Sequence, residues 1–146
     1  PVVRNPQYYF KEGFCWTNIL NPQARLLKAK LKYKSVNDVG SMSLSSIVNE
    51  VPNYFIVTLL NSELLFDYYR EFINVTVNIQ INDIRQLPII IPNKNELLKC
   101  KILFDEIIDL KKQEFLKSHF NDNIKNEIAA KELILNNIVN TLYQMI

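Results

Sequence analysis

The last third of the chain sets the tightest limit on the fold. From Glu96 to about Ser118 apolar residues recur at intervals of three and four, with Cys100, Leu103, Ile107 and Leu110 on one face. A second segment, capped by Asn121 or Asp122, carries Ile124, Ile128, Lys131, Leu135, Ile138, Leu142 and Met145 at 4-3-4-3-4-3 spacing, a heptad seam interrupted by one lysine. Two long helices with a short polar break between them hide their stripes by folding back on each other. The pattern predicts an antiparallel helical hairpin over 94–146, a rigid spacer or docking arm on a body formed by 1–93.

That body reads differently. Tyr8-Tyr9-Phe10 and Phe14-Cys15-Trp16-Thr17 are short, aromatic and β-prone. Lys28 to Lys34 alternates strictly, which predicts a strand with Lys28, Lys30, Lys32 and Lys34 on one face and Ala29, Leu31 and Tyr33 on the other. Val36 to Ser46 is loop with room for one short strand. Pro52 suits the first turn of a helix running to Phe72, whose stripe is Phe55, Leu59, Leu60, Leu64 and Tyr68. Val75, Val77, Ile79 and Ile81 alternate with Thr76, Asn78 and Gln80 as in a strand, and Pro88-Ile89-Ile90-Ile91-Pro92 reads as a buried strand closed by proline. The expected class is α+β: a small, mixed, β-rich domain with a packed helix, then the long hairpin.

Composition removes several function classes. Two glycines, Gly13 and Gly40, stand where average usage gives about ten. Phosphate-cradling loops need several glycines close together, so a Walker loop and a dinucleotide fold are excluded. Cys15, Cys100 and His119 make neither a disulfide framework nor a reasonable zinc site. No apolar run approaches the roughly 18 residues that span a bilayer, and no secretion signal is visible, so a reduced cytoplasmic protein without a membrane partner is expected. The chain starts at Pro1 rather than Met, as expected of a piece cut from something longer.

Charge is spread unevenly. Net charge is +2, yet residues 1–50 hold seven Lys/Arg against three acids, and no acid lies between Gly13 and Asn37. Arg25, Lys28, Lys30, Lys32 and Lys34 all fall in that stretch, which points to an anionic partner. Four ammonium groups on one face, with Arg25 nearby and Trp16 available for stacking, suit nucleic-acid phosphates. Lysines are also how an edge strand resists pairing with other chains. No catalytic constellation emerges. His119 suits a helix C-terminus, and Asp105, Glu106 and Asp109 beside Lys111 and Lys112 suit a solvated, salt-bridged face. Asn5-Pro6-Gln7-Tyr8 approximates the Asn-Pro-Pro-Tyr/Phe loop of amino-methyltransferases, but lacks the second proline and the upstream cofactor loop.

Taken in order, four stretches and a closing tail resemble the target-recognition domain of restriction–modification enzymes, most like the TaqI-like C-terminal specificity domain of type IIG fused methyltransferase–nucleases and more distantly type I specificity subunits. Asn5 to Trp16 is similar to the opening strand pair with its "phenylalanine, lysine, x, glycine, x, x, tryptophan". Ala24-Arg25 to Val39-Gly40-Ser41 follows the "alanine-arginine … valine, x, glycine" passage. Phe55 to Leu64 resembles the helix centred on "leucine-leucine-asparagine-serine-x-leucine". Thr76 to Ile89 reproduces "threonine, x, asparagine, x, glutamine, x, glycine-aspartate-isoleucine, x, x, leucine/phenylalanine-proline-isoleucine", with Asn82 for the usual glycine. Ile138 to Tyr143 is similar to the closing tail, although Gln144 stands where glycine is common.

The resemblance implies a sequence-specific DNA-recognition module, non-catalytic in itself, belonging to a type II restriction endonuclease and adenine methyltransferase. S-adenosylmethionine and Mg would serve only parts of the parent enzyme outside this chain. The implied partners are double-stranded DNA and the methyltransferase part. Arg25 and the lysine face would contact phosphates, and either loop residues such as Ser41, Ser43 and Ser45, or Asn78 and Gln80 on their strand, would reach base edges, Gln or Asn pairing bidentately with adenine. Asn78 and Gln80 have a second reading, as ties for the turn before Asp83. Two other functions stay open from the residues: a protein-interaction module using the hairpin, and a methyltransferase using Asn5 to Tyr8.

Overall fold

A computed structural model describes residues 6–36, 41–116 and 122–144. Asn5, Val39-Gly40, His119, Asn121 and Met145, singled out above, lie outside the described residues. After a 3₁₀ turn at Pro6–Tyr8 come β1 (Gly13–Thr17), β2 (Lys30–Lys32) and β3 (Ser41–Leu44). Next are α1 (Asn53–Leu60), α2 (Glu63–Tyr68) with a π-helical turn at Tyr69–Ile73, α3 (Ile81–Ile84), α4 (Lys94–Leu116) and α5 (Asp122–Gln144). The class is α+β, with a three-stranded antiparallel sheet and a long C-terminal helix pair.

The sheet order is β2-β1-β3, so the aromatic strand is central. Phe14 faces Leu31 on one side and Leu44 on the other, and Trp16 faces Met42. These residues share one face by the period of two, and they pack into the core with α1. Gly13 is required by close approach of β3: a Cβ there would lie 2.5 Å from the Leu44 carbonyl oxygen. That gives the glycine of the Lys11-Glu12-Gly13 stretch a steric reason.

The hairpin forms as its periodicity demands. Cys100, Phe104, Ile107 and Leu110 are buried on α4, with Leu103 only half-buried, while Ile124, Ile128, Leu135, Val139 and Leu142 are buried on α5. Lys131 is tolerated at the seam because its ammonium reaches across to Glu106 at 2.9 Å and along its own helix to Glu127 at 3.7 Å. Lys111 and Glu132 make a second cross-hairpin pair at 2.7 Å. The buried residues of 94–146 belong to the same hydrophobic core as Trp16, Phe55, Leu59 and Tyr69, so both segments share one core.

The expected helix over Pro52–Phe72 is two helices. Asn61 and Ser62 break it: the Ser62 hydroxyl caps α2 by accepting from the Leu65 amide at 3.3 Å. The break shifts the phase of the buried stripe, so that Leu65, Phe66 and Tyr69 go inside and Leu64 and Tyr68 stay exposed. Nor is there a strand over Val75–Ile81. Val75 and Val77 are exposed, Ile79 alone is fully buried, and one bridge joins Asn78 to Ile19. Side chains hold that segment in place of a ladder. The Asn74 carboxamide accepts from the Thr76 amide at 2.7 Å and donates to the Asn78 carbonyl at 2.9 Å. Pro88–Pro92 is likewise no strand, with Ile89 and Ile91 exposed. Two prolines remove donors there, and the Pro88 carbonyl accepts from the Tyr143 hydroxyl, which ties the loop to α5. Tyr8–Phe10 also forms no strand, and Phe10 sits at φ 57°.

Candidate nucleic-acid interface

The lysine strand is shorter and less regular than its sequence. Only Lys30–Lys32 pairs with β1, Cys15 facing Lys30 and Gly13 facing Lys32. Lys28 has φ 52°, in the left-handed region that non-glycine residues rarely adopt, and this breaks the alternation. The residues on either side of it are held by α1 and by Asn61, the residue that follows α1. The Leu27 amide donates to the Leu60 carbonyl at 3.3 Å. The Asn61 side chain clamps Ala29 from both sides, accepting from its amide and donating to its carbonyl, both at 2.8 Å. Thus the end of α1 sets the chain direction just before β2.

The single cationic face is accordingly corrected. Arg25, Lys28, Lys30 and Lys34 are exposed, but Lys32 is only 6% exposed and its ammonium donates to the Lys11 carbonyl at 2.8 Å. It lies opposite Gly13, where no side chain competes for the space. On the other face Ala29 is buried and Leu31 half-buried, as expected, whereas Tyr33 is exposed.

Trp16 is corrected too. It is 1% exposed, and its indole N–H donates to the Ile79 carbonyl at 3.5 Å, so it is a core residue with no face for stacking. Ser41 opens β3 opposite Thr17, and Ser43, half-buried, faces Cys15. β1 separates the lysine strand from the serine strand, a spacing of about 10 Å between the two edges. Ser45 follows β3 in exposed chain, its hydroxyl turned to the Ser46 carbonyl at 3.4 Å.

Asn78 and Gln80 are exposed and lie near the Ser41 end of the sheet, since Ile19, two residues past β1, bridges Asn78. The turn that carries them is fixed by Asp83. Its Oδ2 accepts from the Asn74 carboxamide at 2.7 Å, the Gln80 amide at 2.9 Å and the Tyr69 hydroxyl at 3.3 Å. Burial, and then the adjacent Asp83 carboxylate, drive the Tyr69 hydroxyl far above its ordinary range, so it stays a donor. Arg70 adds a bond to the Thr76 carbonyl at 2.7 Å.

Sequence reasoning missed two features. Asn61 organises the lysine strand; the sequence marked it as a polar Asn-Ser pair inside an apolar stripe and within the motif of the resembling helix, but neither named Ala29 as its partner. A cleft of about 350 Å³ lies between the chain at 26–31 and helices α1, α4 and α5, with Lys28, Lys30, Lys111 and Glu132 among its lining residues. No local pattern marks that cleft, because its walls come from four segments. Both cysteines are free and buried, burial with help from Glu96 pushing the Cys100 thiol up to about 11. Among the described residues no group of three His, Cys, Asp or Glu could hold a metal, and no helix is long and apolar enough to cross a membrane. No protein-family model matches the chain, and no curated protein matches it significantly.

Proposed function

We propose that this chain is a sequence-specific DNA-recognition module of a larger restriction–modification enzyme. Its role is to position duplex DNA for methyltransferase and nuclease parts carried elsewhere. The observation that supports this most is the set of exposed cations Arg25, Lys28, Lys30 and Lys34 in a stretch with no acid. Such a surface neutralises phosphates and releases counterions, which supplies affinity independent of sequence. Base reading falls to Asn78 and Gln80 on their braced turn and to Ser43 on β3. In this reading the chain has no catalytic group of its own, and S-adenosylmethionine and Mg act on other parts of the parent enzyme.

The test is binding of a random-sequence duplex pool across a salt titration, with sequencing of the retained DNA. A salt-dependent signal with an enriched motif is expected. Replacing Lys28, Lys30 and Lys34 by Gln should lower the salt slope by about 0.9 per lost phosphate contact. Lys32→Gln should leave the slope unchanged, because that ammonium is committed to Lys11. Absence of binding at low salt, or retention without enrichment, would overturn the proposal.

A protein-interaction module is the second reading. It is favoured by Leu98, Ile102, Leu133 and Ile134, all exposed on the hairpin. It requires concentration-dependent association in sedimentation and no salt-dependent DNA affinity.

A further inference from the structure

The cleft between β2 and the helices has a division of labour that suits a small ligand rather than a macromolecule. Its interior is apolar: Leu31, Val57, Phe104, Ile107 and Leu135 contribute to the walls. At about 350 Å³ it falls within the size range of small-molecule sites, at the lower end.

Most polar groups on the walls have partners within the fold. Asn61 holds Ala29 through both ends of its carboxamide. The Thr58 hydroxyl donates to the Tyr54 carbonyl at 3.0 Å, and the Asn136 carbonyl oxygen accepts from the Glu63 amide at 3.1 Å. At the rim, Lys111 and Glu132 are paired at 2.7 Å and cancel in charge. Lys28 and Lys30 are exposed there and face no acid of their own segment. Lys28 stands at the cleft with φ 52°, a left-handed backbone of the kind that gathers at ligand sites.

We infer that the cleft binds a small amphipathic organic anion, a carboxylate with a hydrocarbon body. The hydrocarbon lies against Leu31, Val57, Ile107 and Leu135, and the carboxylate meets the Lys28 and Lys30 ammonium groups at the rim. Charge fixes the headgroup and the mostly apolar lining fixes the body. Lys28 and Lys30 are also among the cations given to DNA phosphates above, so the carboxylate and DNA would compete for them, but the test of the cleft uses no DNA and is read on the cleft's own methyls.

The experiment is a titration of the methyl-labelled full chain with sodium decanoate below its micellar range, followed by NMR, with 1-decanol in parallel. Expected are shifts confined to methyls of Leu31, Val57, Ile107 and Leu135, and tighter binding of decanoate than of decanol. Lys28→Gln should weaken decanoate about twofold to fivefold, the range of an exposed ion pair, and leave decanol unchanged. Ile108→Trp, a substitution of a half-buried lining residue, should block both ligands. No methyl shift at millimolar decanoate would overturn the inference, as would shifts centred on the exposed Leu98 and Leu133. Equal affinity for decanol and decanoate would overturn it as well. If Ile108→Trp does not fold, the shift map and Lys28→Gln still decide.

Discussion

Removing the Asn61 carboxamide tests the structural logic at its most connected point. Asn61→Ala breaks two bonds of 2.8 Å and leaves both the amide and the carbonyl of buried Ala29 without their partner. A buried group left unsatisfied costs about 1–3 kcal/mol, so the pair sets a range of about 2–6 kcal/mol. Ala29 and Asn61 both line the cleft, so water can reach the vacated position, and the lower half of the range, about 2–4 kcal/mol, is expected. Urea unfolding followed by far-UV circular dichroism measures it. With a slope of about 2 kcal/mol per molar urea, the midpoint should fall by about 1–2 M at unchanged slope. Asn61→Asp keeps an acceptor for the Ala29 amide but turns an anionic oxygen toward its carbonyl, so it should be no more stable than Asn61→Ala. Asn136→Ala, which loses one bond to an exposed amide, should cost under about 1 kcal/mol. A cost below about 0.5 kcal/mol for Asn61→Ala would refute the argument that this side chain sets the path of the lysine strand.

Two other outcomes follow from the same geometry. Asp83→Ala removes three bonds from the turn bearing Asn78 and Gln80, so a loss of about 2–4 kcal/mol is expected, with Asp83→Asn losing less because its carboxamide oxygen still accepts; equal costs in urea unfolding would refute that, showing that a neutral oxygen cannot stand in for the carboxylate. The Cys100 thiol keeps its proton in the fold up to about 11, against an ordinary value of 9.0. Its contribution is therefore complete below pH 9 and declines as pH rises from about 9 toward 11, because the unfolded chain ionises first. Cys100→Ala should flatten that decline between pH 9 and 10, before tyrosines such as Tyr143, pushed up to about 12, contribute. An unchanged decline would remove the thiol as its cause.

Some of this protein was legible in the residues because a local period was enough. The α4 and α5 segments repeat an apolar stripe over 23 residues each, and two such stripes bury each other in almost one way. β1 was legible for the same reason, being short, aromatic and flanked by polar chain. The candidate site was less so. A period of two fitted Lys28–Lys34 and Val75–Ile81 equally well, yet one holds a three-residue strand and the other a turn tied by Asn74 and Asp83. Alternation states which residues could share a face; it does not say that a neighbouring strand is there to receive the backbone.

What the sequence by itself determined is the α+β class, the hairpin, the excess of cations before residue 37 and the lack of a glycine-rich loop. These depend on residue type and spacing alone. The tertiary structure decided that Lys32 turns inward to the Lys11 carbonyl, that Trp16 is core and that Asn61 clasps Ala29 next to Lys28 at φ 52°. It also decided that four distant segments enclose a cleft. Each of these depends on contacts between residues far apart in the chain, such as the 32 positions between Ala29 and Asn61, and no local pattern encodes which distant group will arrive.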